Sequence, residues 1–310
     1  MRSLRPALVA CAAAALALAG SPARASVGVS VGIGDQSVAM FSDPNWQKLH
    51  LTRSRYFIRW DAMKYESVYK AAGSWVYQAR KRGVTPTLFI TTNNYTYGAA
   101  KLPSTDTYDQ QIRKLISYFK GRGVKEWGTW NEANHKSEPT YKNPKRLAQY
   151  FHIMRKRCSG CTVVGLDVLD QGGVENYIAD FFSALSKSDR DKVTVVGIHN
   201  YPDDNRFRTS GTSTIIKVTH RRKSDVKFWI TEGGGIVNFG SDFPCDEHRA
   251  AKAVTQTFKV AETYDSSVSR LYDYNWTGND CQGFDTGLTR SDGSLREGYS
   301  SFVRQLDRFR

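Results

Sequence analysis

Beyond its first 25 residues, the sequence has no apolar run long enough to span a bilayer. It has no low-complexity linker or charge block either, so its length suits one large domain or two small ones. The Cys-x-x-Cys pair at Cys158 and Cys161 has no second pair and no His-x-x-x-His after it, which disfavours a zinc site. The turn at residues 32–37 lacks the third glycine of a dinucleotide-binding loop.

The first 25 residues are typical of a secretory signal peptide. Arg2 and Arg5 precede an apolar run over residues 8–19, and Ala23-Arg24-Ala25 supplies small residues for cleavage. A membrane anchor is the alternative, but the apolar run is short for one. We therefore expect a soluble, exported protein that is secreted, periplasmic or associated with the cell wall, with one folded domain over residues 26–310.

Four cysteines remain when Cys11 is removed with this segment. They are Cys158, Cys161, Cys245 and Cys281. An even number in an exported chain predicts two disulfides. Three pairings fit this number, and one of them joins Cys158 to Cys161 and Cys245 to Cys281.

The chain is strongly basic, with a formal net charge of +14. Basic proteins attract acidic polymers, which for an exported protein include anionic polysaccharide, cell-wall polymer and membrane surfaces. No motif supports nucleic acid as a partner. The 7 Trp and 16 Tyr residues suit a stacking ligand such as a carbohydrate, although most of them are expected in the core. A basic surface without a specific partner is the alternative reading of the charge.

Short apolar runs alternate with amphipathic stretches along the whole chain after the signal segment. Strands are predicted at 27–33, 55–60, 85–91, 126–131, 162–167, 193–199, 227–231 and 270–276. Helices are predicted at 66–82, 108–120, 144–158, 175–185, 214–222, 246–263 and 299–309, with Asp106 and Asn143 as caps and Gly298 before the last helix. Eight continuous strands alternating with helices predict a single-domain (β/α)8 TIM barrel. An open doubly wound sheet is the structural alternative.

Functional groups of such a barrel project from the carboxyl ends of its strands. Two glutamates stand there in similar contexts, since Glu132 ends the fourth predicted strand and Glu232 ends the seventh. Two carboxylates that face each other across a cleft are the minimal equipment for cleaving a glycosidic bond. Other polar or aromatic groups at strand ends are Arg59, Asn93, Asn131, His199, Tyr201 and Trp276.

Both glutamate motifs resemble those of clan A glycoside hydrolases. Trp130-Asn131-Glu132 is similar to the Trp-Asn-Glu-Pro motif of strand four, in which the glutamate is the general acid/base. The run from Trp229 to Glu232 is similar to the strand-seven motif that carries the nucleophile. The pattern is similar to families 5 and 39. Ala133 stands where the family has proline, which should change the loop backbone but not the acid.

The resemblance also implies roles for the surrounding residues. Tyr201, in the strand-six motif His199-Asn200-Tyr201, and Arg59 of strand two would support the charge of the nucleophile. Asn131 would bind the sugar 2-hydroxyl, and Trp276 would form the floor of the sugar subsite. Asn93 is a further candidate for substrate binding. No metal or cofactor is expected.

These features predict a secreted retaining glycoside hydrolase that acts on a polysaccharide or oligosaccharide. In this scheme Glu232 attacks the anomeric carbon, and Glu132 stays protonated until it donates to the leaving oxygen. A transglycosylase of cell-wall glycan and a non-catalytic polysaccharide-binding barrel are the alternatives.

Overall fold

The computed structural model describes residues 27–96 and 98–309. Eight parallel strands close into a barrel in chain order, and the last strand pairs with the first. They are β1 Ser30–Gly34, β2 Arg53–Arg59, β3 Thr85–Thr91, β4 Glu126–Gly128, β5 Thr162–Leu169, β6 Val195–His199, β7 Lys227–Gly233 and β8 Val268–Tyr274. The predicted single-domain (β/α)8 barrel is confirmed, and every strand boundary lies within three residues of its prediction.

Inward-facing side chains fill the barrel, because alternate residues of each strand point to its interior. Phe89, Val164, Trp229 and their neighbours form an apolar cluster there. Nearer the amino ends of the strands, the carboxylate of Glu126 accepts hydrogen bonds from Arg270 at 2.5 and 2.9 Å. Since the interior is packed in this way, the open cleft lies at the carboxyl ends of the strands.

Helices surround the barrel and bury their apolar faces against it. The longer helices are α2 Glu66–Lys81, α3 Thr105–Lys120, α4 Pro144–Arg157, α5 Val174–Ala184, α8 Ser210–Arg222, α9 Glu247–Thr263 and α10 Glu297–Leu306. The short helices are α1 Pro44–Lys48, α6 Lys187–Arg190 and α7 Tyr201–Asn205, with 3-10 turns at Val38–Ser42 and Ala62–Lys64. The sequence pattern predicted all of the longer helices and none of the short ones, which have too few turns for a periodic signal.

The helix ends correct two predictions of detail. Ser104, not Asp106, caps α3, and its hydroxyl accepts a hydrogen bond from the Thr107 backbone at 3.1 Å. Gly298 lies inside α10 rather than before it, because that helix already begins at Glu297. Asn143 occupies the cap position of α4 as predicted, although its side chain makes no capping hydrogen bond.

Two disulfides are present, as the cysteine count predicts. Cys158 pairs with Cys161 in the turn after α4, and Cys245 pairs with Cys281. The second bridge joins the loops that follow β7 and β8. The same loops form a two-stranded antiparallel sheet of Asn238–Phe239 and Phe284–Asp285, which stands beside the mouth of the barrel.

The predicted signal peptide, residues 1–25, lies outside the described residues. Within the part of the chain that the structure describes, no helix combines the length and apolarity needed to cross a membrane.

Candidate active site

Glu132 lies in the turn after β4, at the mouth of the barrel. Its φ of +41° is a left-handed conformation, uncommon outside glycine, that clusters at functional sites. Backbone N–H groups of Asn131 and Ala133 donate to the carbonyls of Ile90 (2.7 Å) and Asp167 (2.8 Å), which fastens the turn to β3 and β5. A proline at position 133 could not donate that second bond. The alanine therefore changes the bonding of the loop, while Glu132 still lines the cleft.

Glu232 lies near the end of β7 and is 5% exposed. The guanidinium of Arg55 donates a short hydrogen bond to its Oε1, and the Tyr201 hydroxyl donates to its Oε2 at 3.2 Å. These two donors hold the carboxylate in one orientation at the edge of the cleft. The predicted contact between Tyr201 and Glu232 is thus present.

His199, at the end of β6, lies between the two glutamates and is fully buried. Its Nδ1 is 3.1 Å from Oε1 of Glu132 and 3.4 Å from Oε2 of Glu232, and its Nε2 is 3.0 Å from Oδ2 of Asp167. Burial by itself would lower the pKa of His199, but the negative charges of Glu232 and Asp167 outweigh it and raise the pKa to about 10. The imidazole is therefore positively charged at neutral pH, and it links all three carboxylates.

The two glutamates come close enough to share one sugar ring. One carboxylate oxygen of Glu132 lies within 4.8 Å of one of Glu232. Retaining glycosidases place their carboxyl groups about 5–5.5 Å apart, whereas inverting enzymes leave about 6.5–9.5 Å for a water molecule. An oxygen–oxygen separation below 4.8 Å agrees with the shorter of these two spacings.

The protonation of Glu132 differs from the sequence prediction. Burial would raise the pKa of Glu132, but the hydrogen bond and positive charge of His199 outweigh it and lower the pKa of that carboxyl. At neutral pH these shifts favour a carboxylate on Glu132 beside a protonated His199.

The arginine beside Glu232 is Arg55, not Arg59. Arg55 is fully buried, and besides Glu232 it donates to Oδ1 of Asn131 at 2.5 Å. Arg59 instead pairs with Asp61 at 2.5 Å, at the end of the strand. Both arginines belong to the same face of β2, but Arg55 lies four residues earlier, so it sits inside the barrel, whereas Arg59, the last residue of the strand, sits at its rim.

Two other predicted groups lie outside the cleft lining. Trp276 is 2% exposed, belongs to the hydrophobic core and donates its indole N–H to Asp43 at 3.2 Å. Because β8 ends at Tyr274, that tyrosine lines the cleft in place of Trp276. Asn93 lies in the loop after β3, where Tyr95 rather than Asn93 reaches the cleft.

Glu132, His199 and Glu232 each present one atom that could ligate a metal ion. These three atoms lie within 4.8 Å of one another, and Nε2 of His199, on the other side of the ring, faces Asp167 at 3.0 Å.

A cleft of about 550 Å³ opens above the two glutamates. Its lining is mostly apolar and aromatic, with Phe57, Tyr95, Tyr201, Phe239, Phe243, Tyr274 and Phe284 around it. The polar contributions come from Asn131, Glu132, His135, Ser137, Arg206, Glu232 and Asp242.

Glu138 is a buried carboxyl below this cleft that the sequence motifs did not indicate. Its Oε2 accepts hydrogen bonds from the Trp130 indole (2.7 Å) and the Thr92 backbone (3.2 Å), and its Oε1 is 3.0 Å from the Thr91 hydroxyl. Burial raises the pKa of Glu138 to about 8. At neutral pH it is therefore a neutral acid that ties the β4 loop to the end of β3.

We expect Glu138→Gln to remove part of the pH dependence of stability. The folded carboxyl keeps its proton up to about pH 8, whereas the unfolded one releases it near 4.5, so the wild-type protein loses stability as pH rises through that window. Glutamine resembles the protonated acid and should be more stable than wild type at pH 8 by on the order of 4 kcal/mol, and about equal to it at pH 4. Urea unfolding at both pH values measures this, and equal pH slopes for the two proteins would contradict it.

No family model and no curated protein matches the sequence. The fold is nevertheless similar to solved glycoside hydrolases. A family 10 endoxylanase retrieved from a sugarcane soil metagenome aligns with a TM-score of 0.64 and 13% identity, over 91% of this chain and 97% of that one. Xylanase XynB of Paenibacillus barcinonensis aligns with a TM-score of 0.65 and 12% identity, over 92% and 99% of the two chains.

A fungal β-1,4-galactanase aligns with a TM-score of 0.67 and 11% identity, over 88% of this chain and 98% of that one. At such identities the likeness establishes the fold. The resemblance to glycoside hydrolases that the sequence motifs indicated is thus confirmed at the level of the barrel.

Proposed function

We propose that this chain is a retaining glycoside hydrolase that cleaves O-glycosidic bonds of a polysaccharide or oligosaccharide by double displacement. The observation that carries the proposal is the spacing of Glu132 and Glu232, whose nearest ligand oxygens lie within 4.8 Å at the mouth of the barrel. The fold likeness to xylanases and a galactanase supports the same reaction class.

Glu232 is the nucleophile in this proposal. Its carboxylate oxygen attacks the anomeric carbon, and the bond from that carbon to the leaving oxygen breaks as the glycosyl ester forms. Arg55 and Tyr201 hold the carboxylate in the attacking orientation. Asn131, which Arg55 also holds, is placed to bind the sugar next to the reacting carbon.

Glu132 is the acid/base, and His199 supplies its proton. The charged imidazole is 3.1 Å from Glu132 and passes a proton to that carboxyl when a sugar binds. The sugar displaces water, and because a carboxylate is less stable without water, Glu132 then binds the proton more tightly. Glu132 then protonates the leaving oxygen. In the second step it takes a proton from water, whose oxygen attacks the anomeric carbon and releases Glu232.

The stereochemistry of the first product tests the proposal. A screen of nitrophenyl glycosides and polysaccharides identifies a substrate, and NMR then records the anomer that is released before mutarotation. We expect the anomer of the substrate to be retained. An inverted first product would overturn the double displacement.

We further propose that the substrate is anionic or lies in an anionic matrix. The net charge, +14 for the whole sequence and +11 (14 − 3) without Arg2, Arg5 and Arg24, supports this, as does Arg206, which lines the cleft. Turnover of an anionic polysaccharide should then fall as salt rises from 0.01 to 0.5 M, because screening weakens such attraction. A turnover that stays constant over this range would count against it.

Export is proposed on the basis of the segment 1–25 and the two disulfides. Amino-terminal sequencing of protein recovered from the culture medium or periplasm should begin at Ser26. Recovery of the uncleaved chain from the cytoplasm alone would contradict export.

A further inference from the structure

One wall of the cleft is a row of aromatic rings that begins at the nucleophile. The ring of Tyr201, whose hydroxyl contacts Glu232, meets Phe284 at 5.3 Å, and Phe284 meets Phe239 at 5.4 Å. Both contacts are edge-to-face, a favourable geometry for aromatic pairs. The two phenylalanines are 40% and 49% exposed, so this aromatic wall presents apolar surface to the cleft.

Local structure holds the aromatic wall in place. Phe239 and Phe284 pair in the two-stranded sheet, and the Phe239 backbone N–H donates to the Phe243 carbonyl at 2.7 Å. The disulfide Cys245–Cys281 joins the same two loops. Next to Phe284, Asp285 is buried and paired with Arg296 at 2.8 Å. The exposed rings are therefore held by backbone hydrogen bonds, a disulfide and an ion pair. Exposed apolar patches of this kind mark binding sites.

The chemistry of the aromatic wall differs from that of a chain of sugar subsites. Phenylalanine rings offer no hydrogen bond to a hydroxyl group, and a sugar hydroxyl removed from water without a partner costs free energy. Asn131, Glu132 and His135, which can form hydrogen bonds, follow β4, whereas the aromatic wall lies mainly in the loops after β7 and β8, where Asp242 is its polar neighbour. The cleft thus combines a polar part that suits a sugar with an apolar part that suits a hydrophobic group.

We propose that the natural substrate carries an apolar alkyl, acyl or aryl group joined to the sugar, and that Phe239, Phe243 and Phe284 bind this group. The inference rests on the proposed glycoside hydrolase activity for the position of the sugar. It goes beyond that activity by assigning the class of substrate, an amphiphilic glycoside rather than a uniformly polar glycan.

Saturation-transfer NMR on the full chain tests the aromatic wall without requiring turnover. The probes are octyl and methyl β-D-glucopyranoside, with the octyl compound below its micellar concentration. We expect the octyl protons to receive saturation from the wild-type protein, and Phe239→Ala to raise the Kd of the octyl compound about tenfold. Phe239→Trp, which restores an aromatic surface, should bind like wild type.

Phe207→Ala is the matched control, because Phe207 is 52% exposed and lies outside the cleft lining. It should leave octyl binding unchanged. An octyl compound that binds no better than the methyl compound, or that loses equal affinity in both alanine variants, overturns the proposal.

Turnover separates this inference from the proposed activity. For the sugar that the glycoside screen identifies, kcat/KM should rise with alkyl chain length by up to about fourfold per buried methylene, and Phe239→Ala should flatten that rise. Hydrolysis without any dependence on alkyl chain length would contradict the apolar subsite and would not affect the proposal of hydrolase activity. Specific octyl binding with no hydrolysis of any glycoside would support the apolar subsite and contradict the proposed hydrolase activity.

Discussion

Glu232→Gln is expected to lower kcat on the order of 10⁵-fold while the protein stays folded. The amide keeps the volume of the carboxyl, its oxygen can accept from Arg55 and its NH2 group can donate to the Tyr201 oxygen, but it cannot attack the anomeric carbon. Rates on the substrate found in the glycoside screen, together with a thermal melt, measure both parts of this expectation. Glu297→Gln is the control, since Glu297 is an exposed partner of His248 away from the cleft.

Glu132→Gln should behave differently, because an acid/base contributes most where the leaving group is poor. We expect a loss of about 10²–10⁴-fold on a polysaccharide and a much smaller effect on the first step with a dinitrophenyl glycoside. Added azide should rescue the truncated variants, with retained configuration in Glu132→Ala and inverted configuration in Glu232→Ala. Full activity of either variant would remove that residue from the mechanism.

The second large effect concerns Arg55. Arg55→Met should cost about 3–5 kcal/mol of unfolding free energy, because it leaves the buried carboxylates of Asp167 and Glu232 without their arginine partner. Activity should fall as well, since the same guanidinium orients Glu232 and Asn131.

Arg59→Met provides the matched comparison on the same strand. Arg59 has a side chain that is 28% exposed, and it contacts Asp61 and the ring of Tyr65, so its loss should cost less unfolding free energy than the loss of Arg55. Urea unfolding and kcat/KM of both variants decide between the two arginines. If Arg59→Met were the more damaging substitution, the assignment of Arg55 to the site would be wrong.

The order of strands and the two glutamates could be predicted because each depends on short stretches of sequence. Continuous apolar runs mark strands that are buried on both faces, and a parallel barrel brings all of their carboxyl ends to one mouth. Glu132 and Glu232 follow such runs directly, and so does His199. Their meeting at one cleft therefore followed from the fold class.

The choice between similar residues on one strand could not be predicted. Arg55 and Arg59 share a face of β2, and Tyr274 and Trp276 differ by one strand period at the end of β8. Moving along a strand by an even number of residues, two from Tyr274 to Trp276 and four from Arg55 to Arg59, keeps the same face but exchanges a residue inside the barrel for one at its rim.

By itself the sequence determined the barrel, the pair of glutamates and the chemistry they suggest, since periodicity and local motifs carry that information. Only the tertiary structure decided that Arg55 contacts Glu232, that His199 lies between the two glutamates, and that Phe239 and Phe284 line one wall of the cleft. Each of these depends on contacts between residues far apart in the chain, whose distance and orientation are set by strand register and loop closure.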